Sequence, residues 1–140
     1  MFSNVNQIRI LPNSKSIFPT TEDFVYFLSD TMNKRGGYYL FPHLMMHCPD
    51  NTLVFFQYDG LLLACATLVK KEKGPYRDEE GIAYGGKYWF DMNTMTIFSN
   101  PITIKQIQDI DGKIRRFSQA KQIIDLTYLP EIIKLIEKAI

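Results

Sequence analysis

Two apolar runs, Leu53 to Tyr58 and Leu61 to Lys70, meet at Asp59-Gly60, and no other stretch restricts the fold as tightly. Asp-Gly readily adopts the positive φ angles of a two-residue hairpin turn, so the runs are predicted to pair as antiparallel strands. Leu61, Leu62, Leu63, Ala64, Cys65 and Ala66 are apolar without alternation. A strand of that kind buries both of its faces, which predicts a central place in its sheet.

The flanking segments supply the rest of an α+β chain. A short strand is predicted at Ile8 to Leu11, ended by Pro12 and Asn13. Pro19, Thr20, Thr21 and Glu22 form a helix-start signal, in which a threonine hydroxyl caps free backbone N–H groups and carboxylates favour the positive helix end. Phe24, Phe27, Leu28 and Met32 then fall on one helical face, and Gly36-Gly37 stops the helix. Tyr38 to Phe41 is strand-like, and His43 to Asp50 is a connection. Lys71 to Gly86 mixes charges with Gly and Pro and is predicted to be a long surface loop. From Lys87 to Phe98 a strand resumes, with Tyr88, Phe90, Met92 and Thr94 on one face and Trp89, Asp91 and Asn93 on the other. Asn100-Pro101 is predicted to end it. Thr103 caps a short helix through Ile107, Asp111-Gly112 turns the chain, and Ile114 to Ile124 fits strand and helix equally. Pro130, followed by Ile132, Ile133, Leu135 and Ile136, predicts a C-terminal helix. One domain over residues 1–140 is expected.

Composition matters for the partners. Ten Phe, eight Tyr and one Trp in 140 residues exceed what a core of this size readily hides, so some rings should reach the surface or line a cleft. A formal net charge of +1 excludes strong attraction of the whole molecule to nucleic acid or membrane, so a basic binding face must be local. Cys48 and Cys65 lack metal-like spacing and are expected to be reduced thiols, which points to the cytoplasm. The first residues carry no basic-then-apolar leader, and no apolar run approaches the roughly 20 residues that span a bilayer.

Catalytic patterns are incomplete. His43 and His47 stand four apart beside Cys48, but no Glu follows His43 as a zinc-protease pattern requires, and Pro42 and Pro49 restrict any helix there. Asp59 and Asp111-Gly112-Lys113 offer the acids and lysine of a metal-dependent nuclease, yet both acids lie in predicted turns, where Asp is common for backbone reasons. The hairpin could begin an acyltransferase of the GNAT type, but Gly81, Gly85 and Gly86 precede a strand rather than the helix whose N–H groups would cradle a pyrophosphate. No enzyme, cofactor or metal is expected.

What remains is a set of rings interleaved with bases: Lys70, Lys71, Lys73, Tyr76, Arg77, Tyr84, Lys87, Tyr88 and Trp89. Rings stack unpaired bases and cations hold phosphates. A solvated loop with core tyrosines gives the same letters, and Glu72, Asp78, Glu79 and Glu80 dilute the positive field. Lys113, Arg115, Arg116 and Lys121 form a second basic group.

From Asn51 onward, NTLVFFQYDGLLLACATLVKKEK, YGGKYWF, IFSNPITIKQIQ and RRFSQAKQIID resemble in order the PUA-like superfamily, especially its EVE and YTH branches. Ala64 with Cys65 stands where the usual glycine precedes a small residue. The resemblance implies an α+β fold, a mixed-strand PUA-like pseudo-barrel with flanking helices, and a pocket that reads a modified or flipped base between aromatic walls. It assigns base binding to Trp89, Tyr84 and Tyr88, with Tyr38 and Tyr39 as further candidates. Phosphate contacts fall to Arg77 and Lys87, then Lys71, Lys73, Arg115 and Arg116. The implied partner is DNA or RNA, modified or not, in association with a nuclease or other effector domain of a restriction or RNA-handling system. The alternative is a protein-interaction or structural module whose surface rings bind a partner chain.

Overall fold

The computed structural model describes residues 2–42, 45–117 and 122–140. Its frame is a six-stranded mixed sheet in the order β2-β5-β4-β3-β1-β6. β1 (Gln7–Asn13) runs parallel to β3 (Thr52–Tyr58), and the remaining neighbours are antiparallel. β3 and β4 (Leu61–Arg77) join through Asp59 and Gly60 at φ 52° and 76°, the positive angles that a primed hairpin turn needs. Leu62 through Leu68 are all buried, as expected of an interior strand. Alternate residues of β3 feed two cores. Val54 and Phe56 meet Phe24, Leu28 and Met32 on one side, while Leu53 and Phe55 meet Ile107, Ile132 and Ile136 on the other.

The first side is covered by one helical segment. It begins as α1 (Thr21–Tyr26), widens into a π-helical turn at Phe27–Thr31 and closes as α2 (Met32–Lys34). Thr20 Oγ1 accepts from the Asp23 N–H while the Asp23 carboxylate accepts from the Thr20 N–H, a reciprocal cap that satisfies two otherwise orphaned donors. Gly37, at φ 107°, ends the segment. Its carbonyl accepts from the Phe90 N–H at 2.8 Å, and a Cβ there would be driven into the Phe90 carbonyl oxygen. The chain then enters β2 (Tyr38–Phe41). The other side is covered by α3 (Ile104–Gln108), capped by Thr103, and by α4 (Leu129–Ala139), with β6 (Ile123–Ile124) at the sheet edge.

Two expectations about the central chain need correction. The predicted loop at Lys71 to Gly86 is mostly strand: β4 continues to Arg77 and β5 (Ala83–Thr103) starts at Ala83, leaving a short acidic tip around residues 78–82. Pairing between the two strands overrides the Gly, Pro and charge content that reads as loop. Asn100-Pro101 does not end β5 either. Register shifts opposite Leu62 to Ala64 let the strand pass the proline, and β2 pairs with β5 only from Gly86 to Trp89. The missing proline N–H therefore breaks no regular ladder.

Candidate nucleic-acid interface

β5 divides its side chains as its period requires. Tyr88 and Phe90 point into the first core, and Trp89 points the other way, beside Tyr38 of β2 and Lys70 of β4 in the strand register. The result on the outer face is a cluster of rings around one ammonium. Lys87 Nζ lies 4.1 Å from the Tyr38 ring centroid, 4.4 Å from that of Tyr76 and 5.3 Å from that of Trp89. Lys70 Nζ sits 5.1 Å from the Trp89 centroid. Each of these distances is within cation–π range. Glu72 lies among them: its carboxylate accepts from Tyr76 Oη at 2.9 Å and pairs with Lys70 at 3.4 Å. The Tyr76 hydroxyl, the Trp89 indole and Lys70 together hold Glu72 below the usual carboxylate range. The Trp89 Nε1 atom is buried and makes no hydrogen bond of normal geometry.

A cleft of about 420 Å³ opens beyond this face, where the π turn, the end of β1, β2 and the hairpin tip converge. Phe18, Phe27, Tyr39 and Tyr84 supply its rings, Thr31, Arg35, Asp78, Glu79 and Glu80 its polar groups. Phe18 and Phe27 lie 4.8 Å apart, tilted by 47°. The wider π turn places Phe27 and Thr31 on the cleft wall, a recurrent use of such turns. Arg35 touches both regions. Its guanidinium stacks 4.9 Å from Tyr38 and 5.6 Å from Phe27, and donates from Nε and Nη2 to the two Glu79 oxygens at 2.9 and 2.6 Å. That fork ties the helix end to the hairpin tip and holds Glu79 down at about 2. The tip itself is organised by Asp78, whose Oδ1 accepts from the Glu80 and Ile82 N–H groups.

The residues expected from sequence thus separate. Trp89, Tyr38, Lys87 and Lys70 converge on the outer face, joined by Tyr76, while Tyr84 lines the cleft. Tyr88 does neither: it is a core residue whose Oη accepts from the Met46 N–H at 2.7 Å. Tyr39 is likewise buried and presents only part of itself to the cleft, its hydroxyl donating to Asn13 Oδ1 at 2.6 Å. Burial raises its phenol well above the ordinary range. Lys71 is turned inward and donates to the Met46 and Cys48 carbonyls, pinning the connection before β3. Arg77 donates to the Gly81 carbonyl at 2.6 Å and braces the hairpin tip. Lys73 is exposed on β4. Arg115 and Arg116 are exposed next to Ile114 and Phe117, which pack with α3 and α4; neither belongs to the ring cluster.

The other sequence candidates resolve as structure. Asp111 is buried and accepts from the Lys113 and Asp125 N–H groups, and Asp59 makes the hairpin turn and pairs with Lys15 at 3.0 Å. Among the described residues no group of three His, Cys, Asp or Glu side chains is placed to hold a metal; His43 and Lys121 lie outside them. Both cysteines are free and buried, and no described helix is long and apolar enough to cross a membrane. Sequence reasoning missed Arg35, Phe18, Phe27 and the acidic tip as site residues. The helical stripe marked Phe27 for the core, and no local signal brings residue 35 to residue 79.

No family model matches the sequence, and no curated protein matches it. Among solved structures, the crystal structure of a mutant of ZmASCH from Zymomonas mobilis has a similar fold, with a TM-score of 0.62 at 10% identity over 92% of this chain and 96% of that one. ZmASCH is an ASCH domain, itself PUA-like. The fold is PUA-like. The mixed strands and flanking helices expected from the sequence resemblance are therefore present.

Proposed function

We propose that the chain is a non-catalytic nucleic-acid-binding module that takes an unpaired or flipped base into the cleft and lays the adjoining phosphates along the Lys70 and Lys87 face. The observation that carries this reading is the junction at Arg35, where a ring-walled cleft of base-accommodating size adjoins a half-buried cluster of rings around Lys87, with Lys70 exposed at its side. Stacking supplies about 1–3 kcal/mol per base. Lys87 makes three ring contacts of about 0.5–1 kcal/mol each, together comparable with one stacked base, so the ammonium keeps its place over the rings and meets a phosphate from there. Binding without chemistry is supported by prior commitments of the polar groups. Glu79 is too acidic to take up a proton near neutrality, Asp78 is occupied by backbone donors, and Ser14 at the rim is hydrogen-bonded to Ser16. Reading of a modified base, as in the EVE and YTH branches, belongs to the same proposal, because an added methyl gains apolar contact against Phe18 and Phe27.

Trp89 is the single tryptophan and reports directly. Its emission should be quenched by single-stranded oligonucleotides at low salt, with affinity falling as salt rises. Each phosphate that a lysine neutralises on a single strand adds about 0.7 to the log–log salt slope, so the Lys70→Gln/Lys87→Gln variant should show a slope shallower by about 1.4. Absence of quenching by every oligonucleotide overturns the proposal. A cellular partner retained after nuclease digestion and unaffected by the double substitution would favour the protein-interaction alternative instead.

A further inference from the structure

The cleft and the outer face differ in sign. Three carboxylates, Asp78, Glu79 and Glu80, line the cleft against one cation, Arg35. Arg35 and Glu79 neutralise one another through their forked pair, and among the described residues no ion pair engages Asp78 or Glu80. Facing these acids are the rings of Phe18, Phe27 and Tyr84. The field reaches Tyr84: burial first, then the charge and hydrogen bond of Asp78, raise its phenol above the ordinary range. Three carboxylates against one guanidinium leave an excess of negative charge beside the ring faces, which favours a flat organic cation, whereas a neutral base gains only hydrogen bonds from its N–H groups to those carboxylates.

We infer that the base selected by the cleft is one made cationic by alkylation of a ring nitrogen, such as 1-methyladenine. This rests on the nucleic-acid reading above and names its ligand class. A nucleotide carrying such a base is positive at the base and negative at the phosphate, matching an acidic cleft beside a face on which Lys70 and Lys87 outnumber Glu72. A cationic peptide matches only the cleft and is repelled by that face, which decides between the two.

The test compares two isomers, 1-methyladenosine and N6-methyladenosine 5′-monophosphates, by calorimetry at pH 7. As neutral molecules they are isomers with the same added methyl, but at pH 7 only the first holds an extra proton and carries a cationic base. We expect the N1-methyl isomer to bind about tenfold more tightly, within the range of a desolvated cation–π contact. The preference should shrink in Glu80→Gln, a substitution at an exposed position that leaves the core intact. Equal affinities for the isomers, or a preference unchanged in Glu80→Gln, overturn the inference while leaving nucleic-acid binding standing. A trimethyl-lysine peptide that outcompetes both also overturns it. Should neither isomer nor any oligonucleotide bind, the underlying reading fails and takes the inference with it.

Discussion

Replacing Glu79 by Gln should loosen the hairpin tip over the cleft, with a measurable pH signature. The guanidinium of Arg35 is well shielded, with its side chain 10% exposed, whereas that of Glu79 is 60% exposed. Hydrogen bonds from Arg35, aided by a backbone donor and by the guanidinium charge, outweigh partial burial and bring the carboxyl from its ordinary 4.5 to about 2. At about 1.36 kcal/mol per decade that interval corresponds to roughly 3 kcal/mol, but an exposed carboxylate is screened by water, and about 1 kcal/mol survives the discount. Because the folded value lies below the unfolded one, this stability is fully present above about pH 4.5 and is lost as pH falls towards 2. The assay is urea unfolding of wild type, Glu79→Gln, Arg35→Met and the double variant, at pH 7 and at pH 3. Arg35→Met also removes stacking on Tyr38 and Phe27, so the coupling energy of the cycle isolates the ion pair. We expect about 1 kcal/mol at pH 7 and a smaller value at pH 3. A coupling within the ~0.3–0.5 kcal/mol typical of independent sites, or one that is the same at both pH values, refutes the argument.

Tyr88→Phe should lower stability by about 1–2 kcal/mol in the same unfolding assay, since the Met46 N–H would be left buried and unpaired; oligonucleotide affinity should stay near wild type, because the hydroxyl belongs to the core. Gly37→Ala should cost about 2 kcal/mol or more, given a positive φ that disfavours a Cβ and the clash with the Phe90 carbonyl, read as a fall in thermal midpoint.

Elements set by short-range physics were legible in the sequence. Asp59-Gly60, the Thr20 cap, the Gly36-Gly37 stop and the C-terminal helix depend on neighbouring residues alone, and each stands where its signal lies. Alternation along β5 also separates Trp89 from Tyr88 on sequence alone, and the strand register agrees. What was not legible depends on partners distant in the chain. The outer half of the hairpin is stabilised by cross-strand neighbours such as Glu72 with Lys87 and Lys70 with Trp89, and such pairs, worth about 0.2–1 kcal/mol each, leave no mark on a composition window. The same distance dependence ties Lys71, expected as a phosphate ligand, to the Met46 and Cys48 carbonyls more than twenty residues away.

The mixture of charges between residues 70 and 87 shows why net charge says little about a site of this kind. In the sequence, Glu72, Asp78, Glu79 and Glu80 dilute a basic segment. In the fold the hairpin sorts most of them: its tip carries Asp78, Glu79 and Glu80 to the cleft, while its strands carry Lys70 and Lys87, with Glu72 between them, to the rings of Tyr38, Tyr76 and Trp89. At physiological ionic strength charges are screened over about 8 Å, so a ligand that reaches from cleft to outer face meets two fields of opposite sign rather than their near-zero sum. A dipolar ligand such as a nucleotide can use both, and a uniformly charged one can use only half. A whole-molecule charge near zero is therefore compatible with the proposed site, in which one face would hold the backbone and its neighbour a positive base.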